Sequence, residues 1–144
     1  MTANAERADI LVQALYAGLE GNRRAIEDLY ADDVRAWTPS LSATTRIELM
    51  EEFDRRDDAF SDFDLDAVPL DVGGDFACVE WTVSMTHSGP LTVAEGQVVE
   101  ATGTRVTLHG VSVAEFRDAK ICGLRQYWDE ISLFEQLGIV GSDA

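Results

Sequence analysis

Residues 76–85, FACVEWTVSM, alternate without a break: Ala77, Val79, Trp81, Val83 and Met85 share one side, and Glu80, Thr82 and Ser84 share the other. An extended chain turns successive side chains to opposite faces. This period of two therefore predicts a strand with one face on a core and one toward water. Turn formers bracket it, Gly73-Gly74-Asp75 before and His87-Ser88-Gly89-Pro90 after, which puts His87 in a solvated turn. Upstream the period is helical. In residues 6–20, Ile10, Leu11, Ala14, Leu15 and Leu19 fall on one face, and Gly21-Asn22 ends the run. A short helix over 23–30 turns Ile26, Leu29 and Tyr30 inward, and ADDVRAWTPS then forms a short strand or loop stopped at Pro39. TRIELMEEFDRRDD, at about 45–58, is a third helix with Ile47, Leu49, Met50 and Phe53 inward. Downstream, strands are predicted at about 62–71, 91–100, 104–117 and 120–128, and DEISLFEQLG closes with a helix stopped at Gly138. Helices first and antiparallel strands after is an α+β pattern. A curved sheet packed on helices has a concave face that can form a pocket.

The chain of 144 residues, 46% hydrophobic, has the size of one domain, read as 1–144 with about 1–5 and 140–144 as flexible tails. Eleven Lys and Arg against 27 Asp and Glu give a net charge of −16. Such a field repels phosphate backbones and anionic membrane surfaces, so neither nucleic acid nor membrane is an expected partner. The N-terminus has no basic stretch followed by an apolar one, and no apolar run approaches the roughly 18 residues of a membrane span. A cytoplasmic location is expected, with Cys78 and Cys122 as buried thiols rather than a disulfide framework. Two histidines and two scattered cysteines are too few for a metal site, and no Gly-rich phosphate loop is present, so no cofactor is implied.

Residues 101–138, ATGTRVTLHGVSVAEFRDAKICGLRQYWDEISLFEQLG, resemble the C-terminal half of the SnoaL-like group of the NTF2-like superfamily. Thr102-Gly103-Thr104 and Asp118-Ala119-Lys120 stand at the group's two turns. Tyr127-Trp128-Asp129 stands at its aromatic entry to the last helix, and Gln136-Leu137-Gly138 at that helix's end. LYADDV, residues 29–34, is similar to the exit of its second helix. The resemblance covers nearly the whole chain. It implies a cone: three N-terminal helices wrapped by a strongly curved, mostly antiparallel sheet around a deep apolar cavity, with a short C-terminal helix. Members include polyketide cyclases, ketosteroid isomerase-like enzymes, limonene-type epoxide hydrolases, dehydratases and non-catalytic binding or dimerisation modules, so fold does not settle function.

Alternation puts Cys122, Leu124, Gln126 and Trp128 on one face of the last strand, and Ile121, Gly123, Arg125 and Tyr127 on the other. The resemblance places the group's acid/base aspartate at Gln126. Glutamine does not ionise, but it donates and accepts hydrogen bonds. A wall residue bonded to a neighbour, a ligand contact and a direct role polarising an oxygen all stand. Asp129, just ahead of an apolar-periodic helix, is read as its N-cap. The isomerases' base position is Thr38 here, their second acid falls near Ser112, and their tyrosine falls at Leu15 with Tyr16 beside it, so that mechanism is not expected. The epoxide hydrolases' strand aspartate falls near Glu95, a runner-up base or a solvent-facing strand residue, and their arginine near Val93. His109 faces away from Leu108, Ser112 and Ala114, as a surface or dimer-interface residue, or as an acid/base if the strand is bulged. Trp37, Trp81 and Trp128, with Tyr16, Tyr30 and Phe53, are assigned inward, as core or as cavity walls with free indole N–H groups.

The candidate catalytic residues are thus Gln126, Glu95 and His109, and the candidate substrate-binding residues are Tyr16, Trp37, Trp81, Ser112, Leu124 and Trp128. The expectation is a cofactor-independent, homodimeric protein that binds and transforms a bulky apolar small molecule, polyketide- or terpenoid-like, by cyclase, isomerase, hydratase or hydrolase chemistry. The alternatives are a non-catalytic binding protein of the same fold, or an interaction module using Arg125, Tyr127 and His109 on the outer sheet face.

Overall fold

Four helices and a six-stranded sheet carry the chain in a computed structural model that describes residues 3–39, 41–70, 72–93 and 96–139, with side chains from Glu6 onward. The helices α1 (Ala3–Glu20), α2 (Arg23–Leu29) and α3 (Arg46–Ala59) come first. Residues 3–5 of the expected N-terminal tail are already helical; residues 1–2 and 140–144 lie outside the described residues. Asn22 caps α2 by accepting from the Ala25 N–H, and Thr45 caps α3 by accepting from the Glu48 N–H. In return the Glu48 carboxylate accepts from the Thr44 N–H at 2.8 Å, and that bond holds its pKa below the ordinary glutamate range. The apolar stripe of α3 is Leu49, Met50 and Phe53. Ile47, expected inward, is 69% exposed: it stands in the first turn of the helix, to one side of that stripe.

The sheet contains β1 (Tyr30–Thr38), β2 (Leu41–Ala43), β3 (Phe60–Leu70), β4 (Phe76–His87), β7 (Arg105–Arg117) and β8 (Lys120–Trp128), in the order β2-β1-β8-β7-β4-β3. The β1–β8 pair is parallel and the others antiparallel, so the sheet is mixed. The stretch after α2 is a full nine-residue strand. The strand expected over 91–100 is instead two short pieces, β5 (Leu91–Thr92) and β6 (Val98–Val99), paired as a ribbon outside the main sheet. No described helix is long and apolar enough to cross a membrane.

Two further differences have local causes. His87 is not in a solvated turn. The alternation of Ala77 to Met85 runs on to it, and it is fully buried against Phe60 with ring centroids 5.4 Å apart. Its Nδ1 accepts from the Thr102 N–H at 3.2 Å and lies 2.9 Å from Thr102 Oγ1, which ties the turn ahead of β7 to the end of β4. In β8 a register shift opposite Glu115/Phe116 leaves Cys122 outside the pairing. Ile121 therefore joins Leu124 in the core, although strict alternation separates them.

The helix α4 (Glu130–Leu137) starts at Asp129, which accepts from the Ser132 N–H at 3.0 Å, and ends at Gly138 in the left-handed conformation. Gln136 docks it. Strand β8 stops pairing with β7 at Gly110↔Trp128, which leaves the Thr107 backbone without a strand on that side. The Gln136 amide fills the gap, accepting from the Thr107 N–H at 2.8 Å and donating to its carbonyl at 2.9 Å.

Trp81, Gly110 and Trp128 form one row across β4, β7 and β8. A Cβ on Gly110 would meet two ring carbons of Trp81 at 2.4 Å and the Tyr127 carbonyl oxygen at 2.6 Å. Gly110→Ala should therefore lower stability by about 2–3 kcal/mol, as overpacking does where a rigid ring and backbone cannot yield. Urea denaturation followed by tryptophan fluorescence measures this, and a loss below about 0.5 kcal/mol would show that the indole moves aside freely.

Candidate functional site

Helices and sheet line a half-open cavity of about 1190 Å³. Leu15 and Leu19 of α1, Phe53 and Arg56 of α3, Phe63 and Leu65 of β3, and Val83 and Met85 of β4 form its sides. Leu133 and Phe134 of α4 line another side, the β5–β6 ribbon adds Leu91 and Val98, and Glu100 follows just after it. Trp81 and Trp128 stand side by side in the sheet wall, with ring centroids 6.2 Å apart and planes at 57°.

Neither indole N–H is free, contrary to expectation. Trp81 Nε1 donates to Ser112 Oγ at 2.9 Å, and Trp128 Nε1 donates to Glu130 Oε1 at 3.1 Å. Both rings therefore offer the cavity only apolar surface. Gln126 is half-buried in the same wall, its Nε2 2.8 Å from Ser112 Oγ. Ser112 is fully buried and lies behind the wall. The row Val79↔Ser112↔Gln126 is next to the row Trp81↔Gly110↔Trp128, so one serine hydroxyl joins the two.

The helical side is polar at two points. Arg56 lies over the rings of Phe53 and Phe63, 5.0 and 5.1 Å from their centroids, and donates to the Gly18 carbonyl at 2.6 Å. Burial lowers its pKa from the usual arginine value, while neighbouring Asp57 pulls it back up. Tyr30 is fully buried in the cavity wall, and desolvation pushes its phenol well above the ordinary tyrosine range, against a smaller downward pull from Arg56. Such a phenol remains a neutral hydrogen-bond donor.

The other candidates are dispersed. His109 is exposed on the outer sheet face, its Nδ1 3.0 Å from Thr82 Oγ1, in a shallow depression of about 270 Å³ beside Asp66 and Glu80. The β4–β7 register runs through Thr82↔His109 without a bulge, so the ring stays on the face opposite Gln126. Trp37 is 43% exposed and packs on Tyr127 at 5.2 Å, also outside. Tyr16 is 41% exposed and donates to the Leu65 carbonyl at 3.0 Å; its neighbour Leu15 faces the cavity instead. Leu124 packs in the core rather than in the wall. Glu95 lies outside the described residues. Sequence reasoning passed over Glu130. Counting the alternation of Gln126 and Trp128 one step further, through the helix cap, finds this carboxylate in the wall. Among the described residues no three His, Cys, Asp or Glu side chains gather as a metal site.

The Tyr30 shift has a pH consequence. The folded phenol keeps its proton where an unfolded one ionises near pH 10, so stability from this group is constant below about pH 10 and falls as pH rises beyond it. Urea unfolding between about pH 8 and pH 11 should show this alkaline slope, and Tyr30→Phe should flatten it.

The SnoaL-like domain model matches residues 12–124. No curated protein matches the chain in sequence. Among solved structures, the candidate hydroxylase AclR from Streptomyces galilaeus is similar with a TM-score of 0.78 at 21% identity, over 97% of this chain and 85% of that one. A candidate SnoaL-like polyketide cyclase from Jannaschia sp. CCS1 gives 0.82 at 13% identity, over 95% of each chain. An LEH-like epoxide hydrolase from M. tuberculosis gives 0.71 at 15% identity, over 94% and 92%. At these identities the likeness is one of fold.

Proposed function

The chain belongs to the SnoaL-like domain family, and from that premise we propose that it binds, and transforms without a cofactor, a bulky and mostly apolar small molecule of polyketide or terpenoid type. The observation that carries this reading is an amide, Gln126, in the wall of an apolar cavity of about 1190 Å³ beside two indole faces. Burial of a flat hydrocarbon skeleton against these rings supplies affinity at about 25 cal/mol per Å². The amide supplies orientation. It takes no proton, so the chemistry works by shape, desolvation and hydrogen-bond polarisation, with Glu130 as the carboxylate beside Trp128. Cyclase, hydroxylase and epoxide hydrolase descriptions among proteins of this fold suit such a pocket.

Titration with fluorene, a flat tricycle, should quench tryptophan fluorescence at one site per chain. Leu15→Trp, which narrows the cavity from α1, should weaken binding and leave the far-ultraviolet circular dichroism unchanged. Equal binding by both forms would place the ligand elsewhere and overturn the reading.

The outer sheet face supports a homodimer as part of the same proposal. Trp37 and Tyr127 pack on each other in the open there, 43% and 48% exposed. Equilibrium sedimentation should give a dimer for the wild type and a monomer for Tyr127→Glu. A monomeric wild type at about 100 μM would remove this element.

A further inference from the structure

We propose that Ser112 turns the Gln126 amide so that its NH2 group, rather than its carbonyl, faces the cavity, and that the site consequently selects ligands by a carbonyl oxygen. The inference rests on the small-molecule reading above and names a ligand class within it.

Proton accounting carries it. Ser112 Oγ stands 2.9 Å from Trp81 Nε1 and 2.8 Å from the Gln126 side-chain amide. An indole N–H only donates, so Ser112 accepts from Trp81. The serine is fully buried, and its own proton requires an acceptor. Among the described residues, Ser112 Oγ makes hydrogen bonds with Trp81 and Gln126 alone. With Nε2 toward Ser112 the hydroxyl accepts twice and its proton is orphaned, which disfavours that arrangement by roughly five- to a hundredfold. A half-turn of the terminal amide brings Oε1 to the same place with nearly the same shape. Ser112 then donates to Oε1, and the chain Trp81 to Ser112 to Gln126 is matched at every step.

Gln126 lines the cavity and Ser112 does not, so the amide atom turned away from Ser112 is the one a ligand meets. In the satisfied arrangement that atom is a donor. Both neighbouring indole N–H groups are occupied by protein acceptors, which leaves the amide as the donor beside the two rings. A ketone or quinone oxygen accepts from it, and the bond strengthens as negative charge develops on that oxygen. A ligand hydroxyl buried there finds no acceptor in Gln126 for its proton. Ser112 acts through the amide and is a positioning residue.

Three probes of one shape test this: fluorene, 9-fluorenol and 9-fluorenone. The wild type should bind 9-fluorenone at least about fivefold more tightly than fluorene or 9-fluorenol, and the carbonyl stretch of the bound ketone should move to lower wavenumber. Ser112→Ala frees the Gln126 amide to turn either end to the cavity, and releases the Trp81 N–H, so it should narrow the gap between 9-fluorenone and 9-fluorenol; an unchanged gap would show that Ser112 does not set the amide and would overturn the inference. Gln126→Glu keeps the bond to Ser112 but presents an acceptor, and should reverse the preference toward 9-fluorenol. A wild-type preference for 9-fluorenol, or an unshifted carbonyl band, overturns the inference. Equal affinity for all three probes overturns it and leaves the small-molecule reading intact, whereas no binding even of fluorene overturns both.

Discussion

Trp81 lies across β7 only because position 110 carries no Cβ; a methyl group there would sit 2.4 Å from two carbons of the indole ring. The rest of the sheet wall depends on that clearance. The indole passes over the glycine, faces Trp128 at 6.2 Å, and brings its N–H to Ser112 on the neighbouring row. Without this reach, Ser112 would be a fully buried hydroxyl with one partner fewer, and the Gln126 amide would have a less defined anchor. One backbone vacancy thus connects sheet packing to the polarity of the cavity.

The wall is selective about which polar groups it leaves available. Indole N–H groups are occupied by Ser112 and Glu130, and the Arg56 guanidinium is held by two phenylalanine faces and the Gly18 carbonyl. A buried polar group without a partner destabilises the fold, and a partnered one offers little to a ligand. What remains open to a ligand is therefore mainly apolar surface, with Gln126 and Tyr30 among the polar groups that interrupt it. The charge of −16 is a property of the chain as a whole and says little about this interior, where Asp and Glu reach the wall at only a few places such as Glu52, Glu100 and Glu130.

Closure of the cavity relies on side chains replacing backbone partners. Gln136 stands in for the strand that β8 no longer provides beside Thr107, and so seats α4 with Leu133 and Phe134 against the opening. His87 does similar work at the other end of β4, where its Nδ1 and backbone hold the turn at Thr102 to Thr104. Its Nδ1 accepts from a backbone N–H, so the neutral ring carries its proton on Nε2, and that nitrogen is buried with no partner among the described residues. Both residues appear in the sequence as turn or helix-end punctuation, and neither role is visible without the partner strand.

Periodicity in one sequence was enough for the helices over residues 6–20 and 45–58, the strand pattern of FACVEWTVSM, the last strand at 120–128 and the cap at Asp129, because each is set by contacts a few residues apart. The motifs of residues 101–138 carried the family. The sequence also located Gln126, Ser112, Trp81 and Trp128 on inward faces, since alternation needs no knowledge of the partner strand. Long-range packing decided the rest. A bulge at Cys122 moved Ile121 into the core, β4 continued far enough to bury His87, and strand pairing left Trp37 and His109 on the outside. Whether an inward tryptophan shows a ligand its N–H or only its ring depended on Ser112 and Glu130, and in the case of Trp81 on the missing Cβ of Gly110. Side-chain face is a local property of an extended chain, but hydrogen-bond partnership across strands is not, and it is that partnership which gives the cavity its chemistry.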